Sequence, residues 1–166
     1  MPPPTCVISG SLRSWAAGSG RIPVGTWGSL TRAFSPADVA AFAALAGDDN
    51  PIHLDAAYAA GTRWGGPIVH GMLVAALFGT LFGAAIPGSV YVSQRLRFVA
   101  PVRVGQSVTA RVTVAATAAA RGDTHRATCA TLITRDDGVV AIEGEAVVLL
   151  PGGGAEMQPA AAAELR

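Results

Sequence analysis

The sequence predicts an α+β domain in which an antiparallel sheet curls round one long apolar helix. Two features carry this. Residues Gly71 to Ala85 form an apolar run closed off by Pro87, and it is apolar nearly all round, as a helix wrapped by other structure is. Everything after Pro87 reads as strand. Val108, Ala110, Val112 and Val114 alternate strictly, and His125–Thr134 and Val139–Leu150 flank an Arg135-Asp136-Asp137-Gly138 hairpin turn. One apolar helix under an antiparallel sheet is a layer solution that buries both apolar faces.

The remaining elements follow in order. Residues 1–20, rich in Pro, Gly and Ser, read as a disordered tail, and 21–34 as a first strand or extended lead-in. Ser35-Pro36-Ala37-Asp38 has the form of a helix start: Ser35 caps, Pro36 suits the first turn, and Asp38 meets the positive end of the dipole. Val39, Phe42, Ala43 and Ala46 share one face, and Gly47 stops the helix. Asp48 to Leu54 is expected to be a loop, because Pro51 keeps Asn50 out of the α region. Asp55 to Ala60 suits a short helix, and glycines 61, 65 and 66 with Pro67 mark another loop. Ser89–Phe98 is a further strand, and 151–166 a flexible C-terminal tail. One domain, 21–150, results.

Composition bounds the function. The chain has 166 residues, 51% hydrophobic and 14% charged, which is enough for a real core and unlike a disordered chain. A formal net charge of +1 gives no footprint for nucleic acid. The apolar run is shorter than the ~20 residues that span a bilayer. Cys6 and Cys129 show no metal-binding spacing and fit a reducing compartment. Before Asp38 the chain carries Arg13, Arg21, Arg32 and several serines but no acid, the pattern of a mitochondrial transit segment. The matrix is therefore the expected location, with the cytoplasm as the alternative.

The chemistry concentrates in Gly47-Asp48-Asp49-Asn50-Pro51-Ile52-His53 and in Val69-His70-Gly71-Met72-Leu73. The first stretch resembles the G-D-x-N-P-[aliphatic]-H signature of the R-specific enoyl-CoA hydratases, the MaoC-like dehydratase family. The second resembles the family's H-G-M at the start of its central helix. Ser93-Gln94-Arg95-Leu96-Arg97-Phe98, Pro101-Val102 and Val104-Gly105 extend the likeness, which runs from about Val24 to Leu150. The mitochondrial 3-hydroxyacyl-thioester dehydratases are similar too.

The resemblance implies a hot-dog fold, a homodimer, and reversible hydration of a trans-2-enoyl-CoA or enoyl-acyl-carrier-protein to the (R)-3-hydroxyacyl thioester in fatty-acid metabolism. It implies no cofactor and no metal, and an acyl thioester as the small-molecule partner. By position it makes Asp48 and His53 the catalytic pair and Gly71 the oxyanion donor, with Asn50 beside them at the substrate. The residue types suit that chemistry. Carboxylate and imidazole on one loop can hold one water and trade its proton near neutral pH. A free N–H at a helix start stabilises an enolate oxygen, and a glycine there permits close approach.

Other residues read more plainly. Asn50 also suits a loop held by side-chain-to-backbone bonds. Asp49 and His125 read as surface, and His70 as a supporting hydrogen-bond donor. Arg95, Arg97 and Arg103 are candidates for phosphate contacts, each singly better read as surface charge. Ala46 and Gly79 stand where the family often has Ser, Thr, Cys or Gly and Ser respectively, and Gly79 keeps a non-catalytic acyl-thioester binding module in view. A hot-dog acyl-thioesterase is the other alternative. A metal site from Asp48, His53 and His70 is a poorer one, lacking helical ligand spacing.

Overall fold

A computed structural model describes residues 7–15, 20–122 and 124–152. In chain order it contains α1 (Leu12–Trp15), β1 (Trp27–Ala33), α2 (Pro36–Ala46), α3 (Pro51–Leu54), α4 (Ala56–Ala60), α5 (Gly71–Ala85), β2 (Val90–Phe98), β3 (Ser107–Ala119), β4 (Thr124–Arg135) and β5 (Val140–Pro151). The five strands form one antiparallel sheet in the order β1-β3-β4-β5-β2.

The core is the interface between that sheet and α5. Val74, Ala75, Leu77, Phe78, Leu81, Phe82 and Ala85 turn inward from the helix. They meet the buried row Val108, Ala110, Val112 and Val114 of β3 and the inward residues of its neighbours. The two periodicities, 3.6 on the helix and 2 on the strand, are the sequence patterns made physical. The rest of α5 is not buried: Met72, Ala76, Gly79 and Gly83 lie on an exposed face. The β4–β5 hairpin turns through Gly138, at φ 82°. Gly144 lets β2 approach β5, since a Cβ there would lie 1.9 Å from the Arg95 carbonyl oxygen.

The start of α2 is built as expected. The Asp38 N–H donates to Ser35 Oγ at 3.2 Å, and the Ser35 N–H donates back to Asp38 Oδ2 at 2.8 Å, a capping box. The Ser35 backbone N–H, with help from its hydroxyl and the Arg32 guanidinium, holds the Asp38 carboxyl below its ordinary pKa. Gly47 closes the helix at φ 75°, its N–H donating to Ala43 O.

Three expectations are corrected. Residues 7–15 are not a loose tail. Ser9 pairs with Ser29 of β1, and Ile8 and Leu12 enter the core, Leu12 with no exposed surface. Gly28 leaves room for Leu12, whose side chain lies 2.9 Å from where a Cβ would stand. The sequence signal was masked by the surrounding Pro, Gly and Ser. Residues 51–54 are a helical turn rather than loop, because Pro51 sits at the first helical position, where its missing N–H costs nothing. His125 is buried, not surface: Trp15 packs edge-on to its ring at 5.6 Å, and the Ile22 N–H donates to its Nε2. The expected tail beyond residue 152, and residues 1–6 and 16–19, lie outside the described residues.

The packing of α1 is testable. Leu12→Ala should lower the unfolding free energy by about 2–4 kcal/mol in urea denaturation, as a buried leucine truncation does. A loss below about 0.5 kcal/mol, the range of surface changes, would show that the segment adds nothing to the core.

Candidate active site

Four short elements converge at the N-terminal end of α5. The end of α2 supplies Phe42 and Ala46, the following turn supplies Asp48, α3 supplies His53, and the approach to α5 supplies Ile68, Val69, His70 and Gly71. Together with Phe98 to Val102 and Ile142 they line a cavity of about 600 Å³. Its wall is apolar, with Asp48, His53, His70 and Arg63 as the titratable side chains on it.

Local chemistry sets the Asp48–His53 segment. The Asn50 Oδ1 accepts from the Ile52 N–H at 3.2 Å and so caps α3. Asp55 then caps α4 through the N–H groups of Ala57 and Tyr58. Asn50 is thereby committed to the loop and is not among the cavity residues. Its expected place at the substrate gives way to the second role foreseen for it, holding the turn.

The histidines have assigned hydrogen-bond partners. Because a carbonyl only accepts, His53 Nδ1–H donates to Ile68 O at 2.8 Å. In the neutral ring this leaves Nε2 as a bare acceptor. By the same logic His70 Nε2–H donates to Asp48 O at 3.0 Å. His70 is 2% exposed, stacks on His53 with centroids 3.8 Å apart, and packs on Phe42 at 5.0 Å. Its Nδ1 is buried without a partner among the described residues. The supporting role expected for His70 thus has a concrete form: it pins the backbone of Asp48 and backs the ring of His53.

One carboxylate oxygen of Asp48 and one ring nitrogen each of His53 and His70 lie within 4.8 Å of one another. A single water, at ~2.8 Å from each partner, bridges groups this close. The same cluster could be read as a metal site. However, His70 Nε2 and His53 Nδ1 both carry hydrogens directed at carbonyls. That leaves the Asp48 carboxylate and His53 Nε2, short of the three or four ligands that zinc takes.

Gly71 opens α5. The helix has no side-chain cap, unlike α2, α3 and α4. Its first N–H groups have no intrahelical acceptor, and they point along the positive end of the dipole. A Cβ on Gly71 would lie 2.6 Å from the Phe98 ring, so only glycine keeps that ring in place. Gly79 lies on the exposed face of α5 and not on the cavity wall. Cys129 is fully buried, and burial pushes its thiol up to about 12, so it stays protonated. Of the candidate phosphate contacts, Arg97 pairs with Glu143. Sequence reasoning missed the apolar wall residues Phe42 and Phe98 and the rim pair Arg63-Trp64, because nothing in their spacing joins them before the chain folds.

Residues 23–135 match the family described as MaoC like domain. The (R)-specific enoyl-CoA hydratase of Aeromonas caviae is 50% identical over 132 residues, covering 78% of this chain and 96% of that protein. The mitochondrial 3-hydroxyacyl-[acyl-carrier-protein] dehydratase FERN of Solanum lycopersicum is 35% identical over 138 residues, 83% of each chain. The solved structure of the A. caviae (R)-hydratase involved in PHA biosynthesis superposes with a TM-score of 0.73 at 48% identity, covering 80% of this chain and all of the other. The fold is the hot-dog fold.

The His70 bond yields a prediction. His70→Phe keeps a ring against Phe42 and His53 but leaves the Asp48 carbonyl without its donor, so stability should fall by about 1–2 kcal/mol in urea denaturation. Unchanged stability would mean that the bond does not hold the loop.

Proposed function

The chain belongs to the MaoC-like domain family, and from that premise we propose that Asp48 and His53 together drive the reversible addition of water to a trans-2-enoyl thioester, giving the (R)-3-hydroxyacyl thioester. It is an enoyl-thioester hydratase, a lyase of fatty-acid metabolism. The observation that carries the assignment of the pair is their placement: both face one apolar cavity, close enough to share one water, at the uncapped start of α5.

In the proposed mechanism the Asp48 carboxylate and His53 Nε2 accept the two hydrogens of that water. As its oxygen bonds to C3, one proton passes to the pair and is returned to C2. No net proton remains on the protein. The electron pair of the C2–C3 double bond passes through C2 onto the thioester oxygen and back. During that interval the oxygen accepts from the Gly71 N–H, and the apolar wall strengthens the bond by excluding water. His70 holds Asp48 at its backbone, so the carboxylate is aimed without being neutralised.

A homodimer fits the exposed edge. Among the described residues strand β2 has one neighbour, β5, and shows Val90, Tyr91, Val92 and Phe98 to solvent. An unpaired apolar edge is a template for pairing with a second copy. Residues 7–15 pack on β1, which supports a working chain that keeps them, since cleavage after residue 20 would remove Ile8 and Leu12 from the core. The N-terminal mass of the protein from its native cells checks this, and a mature chain beginning after residue 20 would contradict it.

Two outcomes are expected. Asp48→Asn and His53→Ala should each fold and lower kcat/KM for crotonyl-CoA hydration by about 10²–10⁴-fold. Activity within threefold of wild type in either would remove that residue from the pair. Light scattering should give a dimer mass, and Val92→Arg should shift it toward monomer. A wild-type monomer would contradict the edge-pairing reading.

A further inference from the structure

The cavity wall is tied to the β4–β5 hairpin. Phe98, Val99, Ala100, Pro101 and Val102 line the cavity in unbroken succession. The Val99 and Ala100 N–H groups donate to Ala141 O at 2.8 and 3.2 Å, and the Val102 carbonyl accepts from the Val69 N–H at 2.8 Å. Between these ties stands Pro101. Proline has no backbone N–H, so the carbonyl is the one main-chain group by which a hydrogen bond can hold it. Arg135 Nη1 donates to that carbonyl at 3.0 Å, across 34 residues of sequence. Arg135 ends β4, its side chain is 19% exposed, and it is not itself among the cavity residues.

The guanidinium is oriented for this bond. Asp137 takes its Nε at 3.1 Å and its Nη2 in a side-on fork, which leaves Nη1 for Pro101. Asp137 is fixed in turn by the Val139 N–H, which donates to Oδ1 at 3.1 Å. The hydrogen bond from Arg135 holds the Asp137 carboxyl below its ordinary pKa, so the pair stays charged at neutral pH. Closing the hairpin does not call for this arrangement, because the turn has its own backbone bonds, Gly138 N–H to Arg135 O and Arg135 N–H to Val139 O. What the side chain adds is a grip on the wall. From the wall the constraint continues toward the reactive groups. Val69 N–H to Val102 O and the Ile68–Arg103 bridge join the two segments, and the Ile68 carbonyl is the acceptor for His53 Nδ1–H.

We propose that Arg135, aimed by Asp137, is a positioning residue for substrate binding: it fixes the Pro101 carbonyl and so sets the cavity wall from Val99 to Val102 against which the thioester packs. This rests on the hydratase reading and adds to it a residue that touches no substrate. The wall contacts the substrate in the ground state and the transition state alike, so its loss acts on KM. Asp48 and His53 keep their own ties through His70 Nε2–H and Ile68 O, so kcat is largely spared.

The test compares the full chain with Arg135→Ala, Asp137→Asn, the double variant and Leu12→Ala in crotonyl-CoA hydration. Arg135→Ala should raise KM about tenfold, the loss expected of one charge-assisted hydrogen bond, with kcat within about threefold of wild type. Asp137→Asn, a change at an exposed side chain that spares the core, should raise KM about threefold and add nothing further in the Arg135→Ala background, as coupled residues behave. Leu12→Ala, which lowers stability without touching the wall, should leave KM unchanged. Amide hydrogen exchange gives a readout free of turnover: Val69, bonded to Val102 O, should exchange several-fold faster in Arg135→Ala relative to Val112 of β3, and Leu12→Ala should leave that ratio as it is. An unchanged KM in Arg135→Ala, additive effects of the two hairpin variants, a KM that rises equally in Leu12→Ala, or an unchanged Val69 ratio would each overturn the proposal. If wild type hydrates no enoyl thioester while the Val69 ratio still follows Arg135, the hydratase reading fails and the hold of Arg135 on the wall stands.

Discussion

The hydrogen bond from His70 Nε2–H to the carbonyl of Asp48 ties the start of the reactive loop to the framework. His70 immediately precedes α5, and α5 is anchored by seven buried side chains against the sheet. The loop therefore inherits its position from the most constrained helix of the fold. The same ring stacks on His53, so both members of the proposed pair are referenced to one buried residue. The cost is visible in the Nδ1, a buried acceptor without a partner among the described residues, of the kind most structures avoid.

The helix start plays a second part. A helix that begins without a side-chain cap exposes N–H groups and a positive dipole end. In α2, α3 and α4 that demand is met by Ser35, Asn50 and Asp55. In α5 it is left open toward the cavity, where a developing negative charge on a thioester oxygen can meet it. Phe98 fixes the approach, because its ring fills the space that a side chain at position 71 would need. In the proposed mechanism, binding and electrostatics thus meet at the Gly71 N–H.

Much of this was legible from residues alone, for physical reasons. The central helix was found at its observed bounds because no charged residue interrupts a fifteen-residue span that Pro87 must end. The strict alternation in β3 could satisfy only a half-buried strand. Asp48 and His53 came through a motif dense enough to carry position as well as type. What stayed hidden depends on long-range approach. Leu12 looked like part of a tail because its partner, Gly28, sits across a segment that carries no pattern. His125 looked exposed because Trp15 and Ile22 are far from it in sequence. Asn50 carried two readings, and only the Ile52 N–H decides between them.

The central claim is that Asp48 and His53 act on one water from one side of the cavity. The direct test is hydration of crotonyl-CoA in D₂O, with the product analysed for configuration at C3 and for the position of deuterium at C2. A single pair on one side predicts one deuteron at C2, added to the same face as the hydroxyl, in (R)-3-hydroxybutyryl-CoA. Addition of hydroxyl and deuteron to opposite faces, a product of (S) configuration, or release of free thiol in place of hydration would contradict it.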